Sequence, residues 1–158
     1  MNHFTSKNTQ KVSFLAIIAS FLAIFAIFSN TACSKSSASE SDQMISYAKS
    51  NNITYISDPS GILYEIITPG NSLHPTINNT ITVTYVGTLM NGKQFDAGTI
   101  TYPLSNLIPG WQIAVPKIGI GGEIKVLIPS SLGYGSSGSG SIPGNSPLYF
   151  DIKLSAVK

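Results

Sequence analysis

The sequence predicts an α+β fold, an antiparallel sheet of five to six strands bent into a half-barrel around one short helix. Three observations carry this. Apolar and polar residues alternate through Ile81–Tyr85, Ile124–Ile128 and Leu148–Leu154, the two-residue period of strands with one buried face. Asn91-Gly92 follows the first of these runs as a hairpin signal, because both central positions of a type I′ turn need positive φ. Pro109 opens a segment carrying Trp111, Ile113, Val115 and Ile118, which Pro116 and the glycines after it stop early, so only a brief helix is available to fill the hollow of the sheet.

The elements follow in chain order. Lys7 and Lys11 precede an apolar run from Val12 to Phe28 and then Asn30, Thr31, Ala32 and Cys33, the layout of an export signal over residues 1–32. Cys33 is the sole cysteine and cannot form an intrachain disulfide, and its place after small residues suits lipidation in a bacterial lipoprotein. Asn30 stands where such signals usually carry an aliphatic residue, so an uncleaved membrane helix is the alternative for the 12–28 run. Both readings place the remainder outside the cytoplasm, exported and held at a bacterial membrane, on its periplasmic or cell-surface side. Residues 33–41, rich in serine, form a tether too polar to fold, and residues 42–158 are the size of one compact domain.

Within that domain, Met44, Ile45, Tyr47 and Ala48 have helical spacing, which predicts a short amphipathic helix over 42–52 capped by Ser41 and stopped by Asn51-Asn52. Residues 61–68 read as a strand closed by Pro69-Gly70, and the Asn91-Gly92 turn joins Ile81–Leu89 to Lys93–Phe95. Gly135–Ser141 reads as a flexible flap between the last two strands.

Charge and chemistry exclude several function classes. Without the signal, seven lysines face seven acids, and there is no arginine, which removes the usual bidentate donor to phosphate and guanine and argues against nucleic acid as a partner. The GYGSSG run at 133–138 fits a dinucleotide fingerprint, but Ser-Gly-Ser-Ile-Pro follows it in place of a helix. His74 has no companion ligands at metal spacing, and no serine sits in a nucleophile elbow, so neither a metal, another cofactor nor covalent catalysis is expected. What remains is an aromatic set, Tyr85, Phe95, Trp111, Tyr134 and Phe150, which the residues alone leave open between packed core and apolar pocket.

The settings of those aromatics settle the reading toward a pocket. VTYVG at 83–87, KQFDA at 93–97, LIPGW at 107–111, GYG at 133–135 and YFDIKL at 149–154 resemble, in order, the motifs of the FKBP-type peptidyl-prolyl cis-trans isomerases, over most of the exported chain. The short Leu104–Leu107 loop is similar to that of the exported macrophage infectivity potentiator branch. The resemblance implies an FKBP-like fold and rotation of X-Pro bonds without acid–base chemistry. It assigns Tyr85, Phe95, Asp96, Trp111, Tyr134 and Phe150 to the catalytic pocket, and Leu107, Ile108, Ile142 and Ile100 to substrate contact. Ile100 stands where many members carry a further aromatic. Proline-containing polypeptides and folding exported proteins are the implied partners, macrolide inhibitors the implied ligands, and a chaperone-like binder with little turnover is the alternative function.

Overall fold

The structure, a computed structural model, describes residues 38–158. The export signal at 1–32, Cys33 and the tether up to residue 37 lie outside the described residues. Among the described residues no helix is long and apolar enough to cross a membrane.

Helix α1 spans Glu40–Ser50 and begins two residues earlier than the sequence reading placed it. Ser39, not Ser41, is the N-cap: its Oγ accepts the Asp42 N–H at 3.1 Å, answering one of the unpaired first-turn amides, and Glu40 and Asp42 suit the positive end of the helix. Asn51 caps the other end, and Asn52 turns the chain away at φ 54°.

Six strands follow: β1 (Ile56–Ser57), β2 (Leu63–Thr68), β3 (Thr80–Leu89), β4 (Gln94–Pro103), β5 (Glu123–Ile128) and β6 (Leu148–Val157). They form one antiparallel sheet in the order β1-β2-β5-β6-β3-β4. Helix α2, Pro109–Ala114, continues into a 3-10 turn at Val115–Lys117 and lies in the hollow of the sheet. Pro116 ends the α-helical pattern as anticipated, because it has no amide to donate. The half-barrel expected from sequence is therefore the fold observed.

Strand β4 is much longer than the Lys93–Phe95 stub read from sequence. It is an edge strand whose residues are nearly all exposed, so the apolar alternation that reveals a half-buried strand is missing. The turn also differs. Leu89 N–H donates to Lys93 C=O and Gly92 N–H to Leu89 C=O, both at 2.9 Å, and only Gly92 has positive φ, 81°. That is a three-residue loop closed by a glycine bulge, in which Asn91 serves by accepting the Lys93 N–H on its Oδ1 at 2.9 Å.

Two cores sit on opposite faces of the sheet. The inner one joins Ile81, Val83, Ile124, Val126, Ile128, Leu148, Ile152 and Leu154 to Trp111, Ala114, Val115 and Ile118 of the helical segment. The outer one is smaller: Met44 and Ala48 of α1 cover Leu63 and Leu127. This explains why Leu127 is apolar on the face where Glu123 and Lys125 are charged. Burying the five residues Ile62, Ile81, Ile124, Leu148 and Ile152 fully is worth about 1.5–3 kcal/mol each relative to exposure.

Candidate functional site

A small cavity opens between β3, β4, α2 and the segment after β5, lined by Tyr85, Phe95, Asp96, Ile100, Leu107, Ile108, Trp111, Tyr134 and Phe150. Strict alternation cannot put both Phe95 and Asp96 on one face of β4. A bulge does so. Gly87 pairs with Asp96 and Thr88 with Gln94, so Phe95 is an extra residue with no partner opposite.

The rings interlock edge to face. Trp111 and Phe150 lie 5.2 Å apart at 89°, Tyr85 and Trp111 5.1 Å at 82°, and Phe95 and Phe150 5.5 Å at 88°. These are the arrangements aromatic quadrupoles favour. Gly87 makes room for them, because a Cβ there would stand 2.7 Å from Phe95 Cζ and 2.8 Å from Phe150 Cε1. Its role went unread in the sequence, although a glycine inside a regular strand is the signal for a close approach.

Polar groups in the cavity are few and oriented. The Tyr85 hydroxyl donates to Asp96 Oδ2 at 2.6 Å, and Asp96 Oδ1 accepts the Ala97 N–H at 2.9 Å. Burial, and then the Asp96 carboxylate, push the Tyr85 hydroxyl up to about 12, so it stays protonated near neutrality. The Tyr134 hydroxyl is raised by the same two causes in the same order. The Trp111 indole N–H is buried with no hydrogen-bond partner among the described residues.

The far wall comes from the chain leading into α2. Pro109 starts the helix and Ile108 is its N-cap, with the Ile108 C=O accepting Trp111 N–H at 2.9 Å. Gln112, which the sequence reading missed, reaches back with Nε2 to Leu107 C=O at 2.7 Å and Ser105 C=O at 3.1 Å, fixing the loop that presents Leu107 and Ile108. Only its place one residue past the Gly-Trp step could have suggested this.

The residues expected from sequence are thus brought together, with one exception. Ile142 is 7% exposed in the wall of the inner core and does not line the cavity. Its backbone pairs with Ser139 in both directions, at 2.9 and 3.0 Å. The flap itself is a hydrogen-bonded loop and not the free glycine-serine linker expected. Gly138 and Gly144 lie so close to Ile142 C=O and Ser136 C=O that a Cβ at either would collide with backbone, and Asn145 N–H donates to Gly135 C=O at 2.9 Å. His74 sits apart, donating from Nδ1 to Pro116 C=O at 3.0 Å.

The chain is 37% identical over 107 residues to the FKBP-type peptidyl-prolyl cis-trans isomerase FkpA of Aeromonas hydrophila, an alignment covering 65% of this chain and 40% of that protein. The crystal structure of FkpA from Escherichia coli superposes with a TM-score of 0.70 at 31% identity, covering 95% of this chain and 75% of that one. A peptidyl-prolyl cis-trans isomerase structure from Pseudomonas syringae superposes with a TM-score of 0.66 at 32% identity, covering 73% and 90%. The chain spans about two fifths of the length of the FkpA proteins that it matches. Residues 71–155, more than half the chain and all of the cavity, match the family described as FKBP-type peptidyl-prolyl cis-trans isomerase, and the chain belongs to that family.

Proposed function

We propose that the domain accelerates rotation about X-Pro bonds in exported polypeptides. The observation that carries this is the convergence of four interlocked aromatic rings on a cavity whose only carboxylate among the described residues, Asp96, is tied to Tyr85. Rotation requires breaking amide resonance, a barrier of about 18–20 kcal/mol, and no proton has to move. A planar amide is more dipolar than a twisted one, so a dry pocket disfavours the ground state more than the transition state. Trp111, Phe95, Tyr85 and Phe150 supply the dryness and grip the proline ring. The Ile108 N–H and the Tyr134 hydroxyl hold the flanking carbonyls, and Asp96 orients Tyr85 instead of acting as a base. Leu107 and Ile100 border the ring, and Ile142 supports the flap from behind.

The targeting reading completes the proposal: residues 1–32 are an export signal, Cys33 carries lipid, and the tether read from sequence as residues 33–41 gives way at Ser39, the cap of α1, to the isomerase domain, which therefore begins slightly before the expected residue 42. The protein then works at a bacterial membrane surface on folding clients, as an exported lipoprotein of the macrophage infectivity potentiator type. Macrolides are the ligand class for the same pocket. The test is catalysed isomerisation of a proline tetrapeptide by the full chain, with Phe95→Ala as control. Turnover lost in that variant while folding persists supports the proposal. Binding of the peptide without turnover replaces it with a chaperone-like binder. Metabolic labelling with a radioactive fatty acid, abolished by Cys33→Ala, tests the anchor.

A further inference from the structure

We propose that Glu40, the first residue of α1, is a positioning residue for the segment that carries Tyr134, so that the helix on the outer face of the sheet tunes the pocket on the inner face. The inference rests on the isomerase reading only for its catalytic consequence. Glu40 Oε2 accepts the Ser130 N–H and Oε1 accepts the Ser130 hydroxyl, each at 2.6 Å, across 90 residues of sequence. Ser130, 6% exposed, is the one buried polar side chain among the described residues. Its own C=O accepts Gly133 N–H at 2.9 Å and Gly135 N–H at 2.8 Å, the two residues on either side of Tyr134. Tyr134 is therefore pinned at both shoulders to one carbonyl, and the residue owning that carbonyl is held at its amide and hydroxyl by Glu40.

An acid in the first turn of a helix ordinarily stays beside that helix's own free amides. Here Ser39 Oγ already caps α1 through Asp42 N–H, and both Glu40 oxygens are directed to Ser130. Charge-assisted bonds of this kind are short and strong. Helix α1 is independently seated by Met44 and Ala48 in the outer core, so losing Glu40 releases the segment around Tyr134 without undocking the helix.

The test compares Glu40→Ala and Glu40→Gln in the native chain and in a Tyr134→Phe background. Loss of a charged hydrogen-bond acceptor should lower kcat/KM on a proline peptide by about tenfold in the native background and by less than about twofold without the Tyr134 hydroxyl. Glu40→Gln, which keeps one acceptor oxygen, should recover part of the loss. A role in stability alone predicts the same loss in both backgrounds, and that result overturns the proposal. A second readout needs no catalysis: amide exchange at Gly133 and Gly135 should rise by about tenfold in Glu40→Ala while β6 amides are unchanged. Unchanged exchange there overturns the clamp. An inactive parent chain counts against the isomerase reading alone and leaves the exchange result to decide.

Discussion

The Tyr85 hydroxyl and Asp96 Oδ2 lie 2.6 Å apart, a hydrogen bond joining the middle of β3 to the bulged start of β4. It gives the pocket a fixed polar edge in which the proton belongs to tyrosine and the charge to aspartate. Asp96→Asn should lower the Tyr85 titration midpoint from about 12, because a negative neighbour opposes tyrosinate formation. It should remain above the ordinary tyrosine value of about 10, since burial is the larger cause. Tyrosine-selective NMR across alkaline pH measures this. A midpoint unmoved by the substitution would count against the pair as an electrostatic unit.

The proposed isomerase activity should be nearly constant between about pH 6 and 8. Tyr85 and Tyr134 are both raised away from that window, and among the described residues no histidine lines the cavity. A bell-shaped dependence of kcat/KM, measured with protease-free detection, would overturn the mechanism.

Gly87→Ala should cost both activity and stability. The added methyl meets two rings of the pocket and displaces them, an overpacking penalty of about 1–3 kcal/mol. Thermal unfolding gives the second quantity and proline-peptide kinetics the first, with kcat/KM expected to fall at least about tenfold. Unchanged kinetics would show that Phe95 and Phe150 can shift without consequence.

The Lys117–Asp58 pair, at 2.8 Å, should make stability depend on acid pH. Lys117, through its hydrogen bond, holds Asp58 well below the usual carboxylate range. A folded-state value below the unfolded one means that the contribution is present above about pH 4 and is lost as pH falls through the folded value. The Tm difference between the native chain and Asp58→Asn should therefore shrink steadily below about pH 4. A difference constant down to strong acid would exclude the linkage.

Emission from Trp111, the only tryptophan, should respond to proline peptide, because the ring is 3% exposed yet lines the cavity. Titration of the native chain should give a saturable change that Phe95→Ala weakens. No change at saturating peptide would mean that the cavity is sealed core.

Legibility in the sequence tracked burial. Strands β3, β5 and β6 announced themselves because one face is apolar and the other wet, and α2 because proline frames it at both ends. Strand β4 was hidden because an exposed edge imposes no pattern on its side chains. The aromatics of the cavity were visible as residue types in motifs, whereas their supports were not. Gln112 acts by reaching five and seven residues back to carbonyls, and Glu40 by contact across 90 residues of sequence, neither of which leaves a local periodicity. The flap misled in the other direction: Gly138, and Gly144 just beyond it, answer crowding by neighbouring backbone, while Gly135 and Gly140 answer a positive φ, conditions that composition cannot distinguish from freedom.

The extra residue at Phe95 also means that the pocket depends on counting as well as on chemistry. Lengthening the Met90–Gly92 loop leaves the phase of both strands intact and should be tolerated by the site. Removing a single residue from Gln94–Asp96 restores regular pairing and turns one of the two groups outward, so a shortened gene could keep every aromatic, fold to the same sheet and still lack the cavity.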